Sequence, residues 1–326
     1  MNVRRRLISA TAVTAATALG LGALSACSSD SAAKGNTDKF DVVASFYPMA
    51  FLAEQIGGDH ANVTSLTEPG QEPHDLEIST KQRAQLEEAD AALFLKGLQP
   101  AVDEAVSQTG IKTKIDAATL TTLEDHGNTE HDHEGEGEKG HAEEKGHAEE
   151  EEHARDPHVW LDPVKYAEVA EGVGKAFEKA DPDHAADYKK NTAALVKKLN
   201  DLNGEFESGL KNTKTKVFFT NHAAFGYLAE RYGLTQEAIS GLDPESEPSA
   251  ARMKELQQEA KADGVTTVFY ETLVSDKTAK TLARDAKLKT DVLDPLEGIT
   301  DKSRGDDYFQ VMEANLKALQ AALGAK

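Results

Sequence analysis

Three histidines occupy settings in which an imidazole can meet a metal ion. His74 lies in Glu68-Pro69-Gly70-Gln71-Glu72-Pro73-His74-Asp75, a loop after a β-rich run that ends at Leu66. His158 lies in Asp156-Pro157-His158-Val159-Trp160-Leu161-Asp162-Pro163, just ahead of a helix start. His222 lies in Thr220-Asn221-His222-Ala223-Ala224-Phe225-Gly226-Tyr227, where a strand pattern gives way to a helical stripe of Phe225, Leu228 and Tyr232 closed by Gly233. Imidazole suits borderline divalent metals, and His74 and His222 stand at the strand-to-helix edge where open parallel sheets bind ligands. A nearby helix start supplies positive potential, which is expected to keep the rings neutral and metal-competent. One such residue alone reads as an ordinary surface or core histidine; three in comparable loops point to a common site. His60, after Gly57-Gly58-Asp59, and His184, in the first turn of a helix, read as structural. Trp160 and Leu161 are expected to pack beneath His158 and fix its loop.

The elements that carry these loops alternate between β and α. Strand patterns fall at 40–46, 62–66, 91–96 and 112–116, and again at 216–220, 236–240, 266–271 and 290–293. Helical spacing of apolar residues fills the intervals, which predicts an α/β chain of two lobes, each with a mainly parallel four-stranded sheet. Between the lobes, Asp162-Pro163 and Asp181-Pro182 are two helix starts, each an N-cap followed by Pro at the first helical position. The second helix carries Tyr188, Thr192, Leu195, Leu199, Leu202 and Phe206 at steps of three and four. It is expected to span 182–210 as one long rigid link, the alternative being a core helix of one lobe. The lobes are then 39–181 and 211–326. Ser79 with Gln82 three residues on is a capping-box pattern ahead of a further helix.

The stretch 124–154 departs from this pattern. It holds six of the eleven histidines (His126, His131, His133, His141, His147 and His153) among many Glu and Gly, and Gly-His-Ala-Glu-Glu occurs twice. Such a composition buries no core and is expected to form a mobile loop that collects metal weakly.

At the N-terminus, Arg4, Arg5 and Arg6 precede a small and apolar run ending in Leu24-Ser25-Ala26-Cys27. This reads as a lipoprotein signal peptide over 1–26, with Cys27 the lipidated first residue of the mature chain and 28–38 completing a polar tether. The triple arginine also resembles a twin-arginine export signal. Cys27 is the single cysteine, so internal disulfides and cysteine-rich zinc modules are excluded. With 36 Lys and Arg against 57 Asp and Glu, the net charge of −21 argues against nucleic acid as a partner and admits a cation.

Taken together, Glu72-Pro73-His74-Asp75, Asp156 to Pro163, Asn221 to Tyr227, Asp243-Pro244-Glu245-Ser246-Glu247-Pro248-Ser249 and Leu293-Asp294-Pro295-Leu296-Glu297-Gly298 resemble, in the same order, the metal-binding lipoproteins of zinc and manganese ABC importers. The resemblance covers essentially the whole mature chain. It implies two α/β lobes joined by a long rigid helix, with metal in the cleft between them. It also implies that His74 and His158 are ligands from the first lobe and His222 one from the second. The fourth position in that family is a carboxylate near the last strand, or water. Glu297 is the match, ahead of Asp294 and then Glu271, while Glu72 is set aside because Pro73 stiffens its loop. The family's zinc members carry a His- and acid-rich loop before the second ligand, where 124–154 stands. Its manganese members tend to carry a carboxylate in place of His222, so the resemblance favours Zn²⁺ as transported ligand.

The implied function is an extracytoplasmic zinc receptor, monomeric and lipid-anchored to the outer face of a bacterial cell membrane. Its partners are a permease and its ATPase. A manganese receptor is the nearest alternative. A zinc hydrolase and a surface adhesin are alternatives of other classes. The chain has no His-Glu-x-x-His, Gly-x-Ser-x-Gly or phosphate-cradling Gly-Lys-Ser/Thr pattern, which leaves it without a recognisable catalytic motif.

Overall fold

The computed structural model describes residues 39–126 and 155–325. The signal peptide, Cys27 and the tether lie outside the described residues, as does 127–154. No described helix is long and apolar enough to cross a membrane.

The first half builds one sheet. Strand β1 (Phe40–Ala44) is followed by α1 (Tyr47–Gly57), β2 (Ala61–Ser65), α2 (Thr80–Glu88), β3 (Ala91–Phe94), α3 (Pro100–Gln108) and β4 (Thr113–Asp116). Their order is β2-β1-β3-β4, and every pairing is parallel. A parallel strand is covered on both faces, so β1 and β3 are apolar almost without interruption, as Phe-Asp-Val-Val-Ala and Ala-Ala-Leu-Phe. The capping box forms as expected: Ser79 Oγ accepts from Gln82 N–H, and the Gln82 side chain accepts from Ser79 N–H.

Two helices then cross between the sheets. Helix α4 (Pro163–Ala180) starts on Asp162, whose Oδ1 accepts from Val164 N–H at 2.9 Å. The following helix begins later than the Asp-Pro signal implies. A single 3-10 turn (Pro182–His184) comes first, and α5 (Ala185–Leu210) runs for 26 residues, about 39 Å. Its buried stripe is Tyr188, Thr192, Leu195, Leu199, Leu202, Phe206 and Leu210.

The second half repeats the first. Strand β5 (Val217–Thr220) leads to α6 (Gly226–Arg231), β6 (Thr235–Ala238), α7 (Ala250–Ala262), β7 (Thr267–Tyr270), α8 (Lys277–Ala286), β8 (Lys289–Val292) and α9 (Tyr308–Leu323). The order β6-β5-β7-β8 is again wholly parallel. All eight expected strands are present, each trimmed or shifted by one or two residues.

Helix α5 packs on α1 and α4 at one end and on α9 at the other. One continuous apolar core therefore runs from β1 through Trp160, Phe177, Leu199 and Phe206 to Phe225, Leu296 and Met312. Each sheet has a smaller core on its far face, around Val43, Leu86 and Val102 in the first and Phe219, Leu256 and Val268 in the second.

Candidate metal centre

Both sheets point the carboxyl ends of their strands into the cleft where the centre lies. His74 stands in the loop between β2 and α2. His158 ends a segment that turns into a 3-10 helix (Val159–Leu161) just before α4. His222 leaves the end of β5, and Glu271 leaves the end of β7, its neighbour in the sheet. Strand order reverses between β5 and β7, and such a switch point opens a crevice into which loop side chains converge.

Four of the sequence candidates meet there. The donor atoms of His74, His158, His222 and Glu297 all lie within 4.8 Å of one another. Each imidazole aims its Nε2 at Glu297 Oε1, at 3.2 Å for His74, 3.2 Å for His158 and 3.4 Å for His222. His158 and His222 are fully buried and Glu297 nearly so, while the His74 side chain keeps 13% of its exposure and forms the open side of the cleft. Glu297 Oε2 is buried with no hydrogen-bond partner. A buried carboxylate with one oxygen facing three Nε2 atoms and the other left without a partner fits a bound cation.

The other candidates do different work. Glu271 Oε1 meets His222 Nδ1 at 2.6 Å, so it orients that ring and leaves Nε2 for the centre. Asp156 does the same for His158, its Oδ1 lying 2.7 Å from Nδ1 and accepting the His158 N–H at 2.9 Å. Carboxylates behind ligand histidines fix the tautomer and strengthen the ligand. Asp294 is spent on its own turn: Oδ1 accepts from Leu296 N–H, and Oδ2 from Thr272 and Ser303 hydroxyls. Asn315 on α9 clamps Asp294 from both sides, accepting its N–H and donating to its carbonyl. This bracing holds Leu296 at φ +58°, a left-handed conformation that costs a branched residue on the order of 1 kcal/mol. The strained residue directs Glu297 inward. Glu72 is tied to Asp75 N–H and adds no donor to the cluster. His60 and His184 lie apart from the centre, their rings stacked at 4.1 Å and bonded to Asp187 and Asp181.

Trp160 and Leu161 are buried as expected, and Trp160 has a further role. Its Nε1–H donates to Pro295 O at 2.7 Å, and its own carbonyl accepts from Tyr308 at 2.6 Å. The ring stands edge-on to Phe46 and beside His158. One side chain thus ties the His158 segment to the turn that presents Glu297. Trp160→Phe keeps most of the bulk but orphans the Pro295 carbonyl, so a loss of about 1–3 kcal/mol is expected in urea unfolding. An unchanged midpoint would mean that this bond adds nothing.

The electrostatics reverse one expectation. Helix-end potential is expected to keep the rings neutral, but at His158 and His222 the carboxylates bonded to each ring outweigh it. Burial pushes the His158 imidazolium down, yet its bonds to Asp156 and Glu297 more than offset this, and it titrates above the ordinary histidine range. His222 follows the same pattern more strongly: burial opposes the proton, while Glu271 and then Glu297 hold it well above that range. Burial would raise Glu297, but His158, His222 and then His74 bring it well below the usual carboxylate value. In the metal-free protein these protons support the fold below about pH 6.5, the unfolded value, and that support fades as pH rises through the higher folded values. Metal must displace them. Zinc affinity is therefore expected to rise with pH and to keep rising above pH 6.5, with more than one proton released per ion. Calorimetry in buffers of different ionisation enthalpy counts those protons, and a flat profile between about pH 5 and 8 would contradict a three-histidine site.

Sequence reasoning missed Asp156, Asn315 and the strained Leu296. Asp156 had a signal, since an Asp two residues ahead of the residue it caps is a common local turn. Asn315 had none, because its partner lies 21 residues away on another element. The first residues of the His-rich stretch also depart from expectation. Glu124 N–H donates to Tyr227 Oη at 2.7 Å, its carbonyl accepts from Asp156 N–H, and His126 is hydrogen-bonded on both ring nitrogens.

Known proteins resemble this chain over most of its length. A family model described as the periplasmic zinc-uptake complex component A matches residues 42–322. The zinc-binding lipoprotein AdcA of Streptococcus pneumoniae R6 is 38% identical over 303 residues, covering 91% of this chain and 58% of its own length. The chain thus spans little more than half of that relative. The high-affinity zinc uptake system protein ZnuA of Bacillus subtilis is 35% identical over 323 residues, covering 94% of this chain and 98% of its own. Among solved structures, the Zn(II)-bound ZnuA-like domain of Streptococcus pneumoniae AdcA aligns with a TM-score of 0.70 and 35% identity, over 87% of this chain and 99% of that one. A match that runs from residue 42 to 322, through both sheets, leaves one conclusion: the chain belongs to the family of the periplasmic zinc-uptake complex component A.

Proposed function

We propose that this protein is an extracytoplasmic zinc receptor. It captures Zn²⁺ with His74, His158, His222 and Glu297 and delivers it to a membrane permease driven by an ATPase. The observation that carries the reading is the convergence of three Nε2 atoms on one buried carboxylate. Three imidazoles and a carboxylate fill a tetrahedral zinc shell, with nitrogen at about 2.0–2.1 Å and oxygen at about 2.0–2.2 Å. A filled shell suits capture, whereas catalytic zinc keeps a position open for water. The zinc-uptake family to which the chain belongs and its zinc-binding relatives support zinc as the cargo.

The chain reads as a monomer held to the outer face of the cell membrane through Cys27, in two lobes linked by α5. Manganese is the competing cargo. It stands at the weak end of the divalent series for nitrogen ligands and prefers more oxygen. In metal-buffered competition, zinc is expected to hold the centre against manganese at equal free concentration, and zinc rather than manganese is expected to rescue a deletion strain starved of metal. Rescue by manganese alone would assign the other cargo.

A further inference from the structure

A second group of metal-ligating side chains lies outside the cleft centre. Glu124, His126 and Glu230 bring one donor atom each within 4.8 Å of one another. His126 leads into the stretch at 127–154, and Glu230 is on α6. His126 repeats the arrangement of His158 and His222. Its Nδ1 lies 3.0 Å from Oδ2 of the fully buried Asp156, and its Nε2 faces a carboxylate, Glu230 Oε2, at 2.9 Å. A buried carboxylate behind one ring nitrogen with the other turned toward acidic oxygens is how proteins prepare a histidine for a metal. The carboxylate is also shared. Asp156 holds His126 with one oxygen and His158 with the other. Gly226 makes room for the pair, since a Cβ there would stand 2.3 Å from His126 Cβ and 2.9 Å from Asp156 Oδ2.

We propose that Glu124, His126 and Glu230 form an outer divalent-cation site, joined to the inner centre through Asp156. The outer site takes the same class of ion, a borderline divalent cation such as zinc, through one imidazole and two carboxylates. It is the weaker of the two. Lys165 Nζ lies 2.5 Å from Glu124 Oε1 and offsets part of the negative charge, and the Glu230 side chain is 60% exposed. The same exposure leaves the site open to solvent. The proposal rests on the receptor reading only for the identity of the inner ion.

The test uses the full mature chain with His131, His133, His141, His147 and His153 replaced by Asn, so that these side chains add no equivalents. The protein is loaded with one equivalent of zinc and dialysed against buffered free zinc. A second equivalent is expected, and Glu230→Gln and His126→Gln are each expected to weaken it at least tenfold. Glu230→Gln leaves the first equivalent within about twofold, because Glu230 does not touch the inner ligands. A missing second equivalent, or one indifferent to either substitution, overturns the outer site. Failure to bind the first equivalent would instead count against the inner centre.

Discussion

His222→Ala lowers zinc affinity by roughly two to three powers of ten, about 3–4 kcal/mol, as expected when one of four ligands is lost from a site worth about 10–16 kcal/mol. The ring supplies Nε2 to the centre from a fully buried position. The substitution also strands Glu271, whose carboxylate is buried and bonded to His222 Nδ1 at 2.6 Å. Part of any loss could then be structural. Adding Glu271→Gln to the same chain removes the stranded charge. A zinc loss that persists in the double variant while the thermal midpoint recovers is ligand loss. Glu271→Gln alone keeps the ring in place but weakens its orientation, and is expected to cost about 10–100-fold. If the single His222 variant binds zinc as tightly as the parent, the centre is wrongly assigned.

Glu297→Ala is the second large effect, and it separates the ligand from its braces. Glu297 is the oxygen donor on which all three Nε2 atoms converge, and the only negative charge in the shell. Its removal leaves zinc at full double charge among neutral rings in a buried site, so a loss of about two to three powers of ten is expected by the same per-ligand reasoning. Asp294→Asn touches the turn alone. Asn can still accept from Leu296 N–H, and the expected loss is about tenfold or less, the scale of an outer hydrogen bond. Isothermal competition against a chelator of known affinity ranks the two. A larger loss for Asp294→Asn than for Glu297→Ala would move the fourth ligand to Asp294.

The contrast between Glu297 and Asp294 shows how far a sequence reading reaches. Strand patterns of β-branched and apolar residues, the Asp-Pro helix starts and the Ser79 capping box are local signals, and each produced its element near the expected place. His74 and His222 were legible because strand-to-helix loops of parallel sheets share one edge, and His158 because it stands just ahead of the Asp162-Pro163 helix start. Resemblance of motifs ranked Glu297 first, but composition alone had no means of choosing it. The choice is made by a turn in which Asp294 spends both oxygens on Leu296, Thr272 and Ser303, and by Asn315 reaching across from α9. Those are long-range contacts with no local signature. The raised proton affinity of His158 had a local signal in Asp156, two residues ahead, whereas that of His222 had none. A helix end is visible in the sequence, whereas a carboxylate 49 residues away, as Glu271 is from His222, is not. His126 escaped the loop composition around it because its partners, Asp156 and Glu230, belong to the folded body.

The central claim is that one zinc ion sits between the two sheets on His74, His158, His222 and Glu297. Anomalous diffraction from zinc-loaded crystals, with data on both sides of the zinc absorption edge, tests it most directly. The expected result is one strong peak within about 2.0–2.2 Å of the three Nε2 atoms and one Glu297 oxygen, in tetrahedral array. A peak bound by Asp294 or Glu271, or none between the sheets, would contradict the assignment.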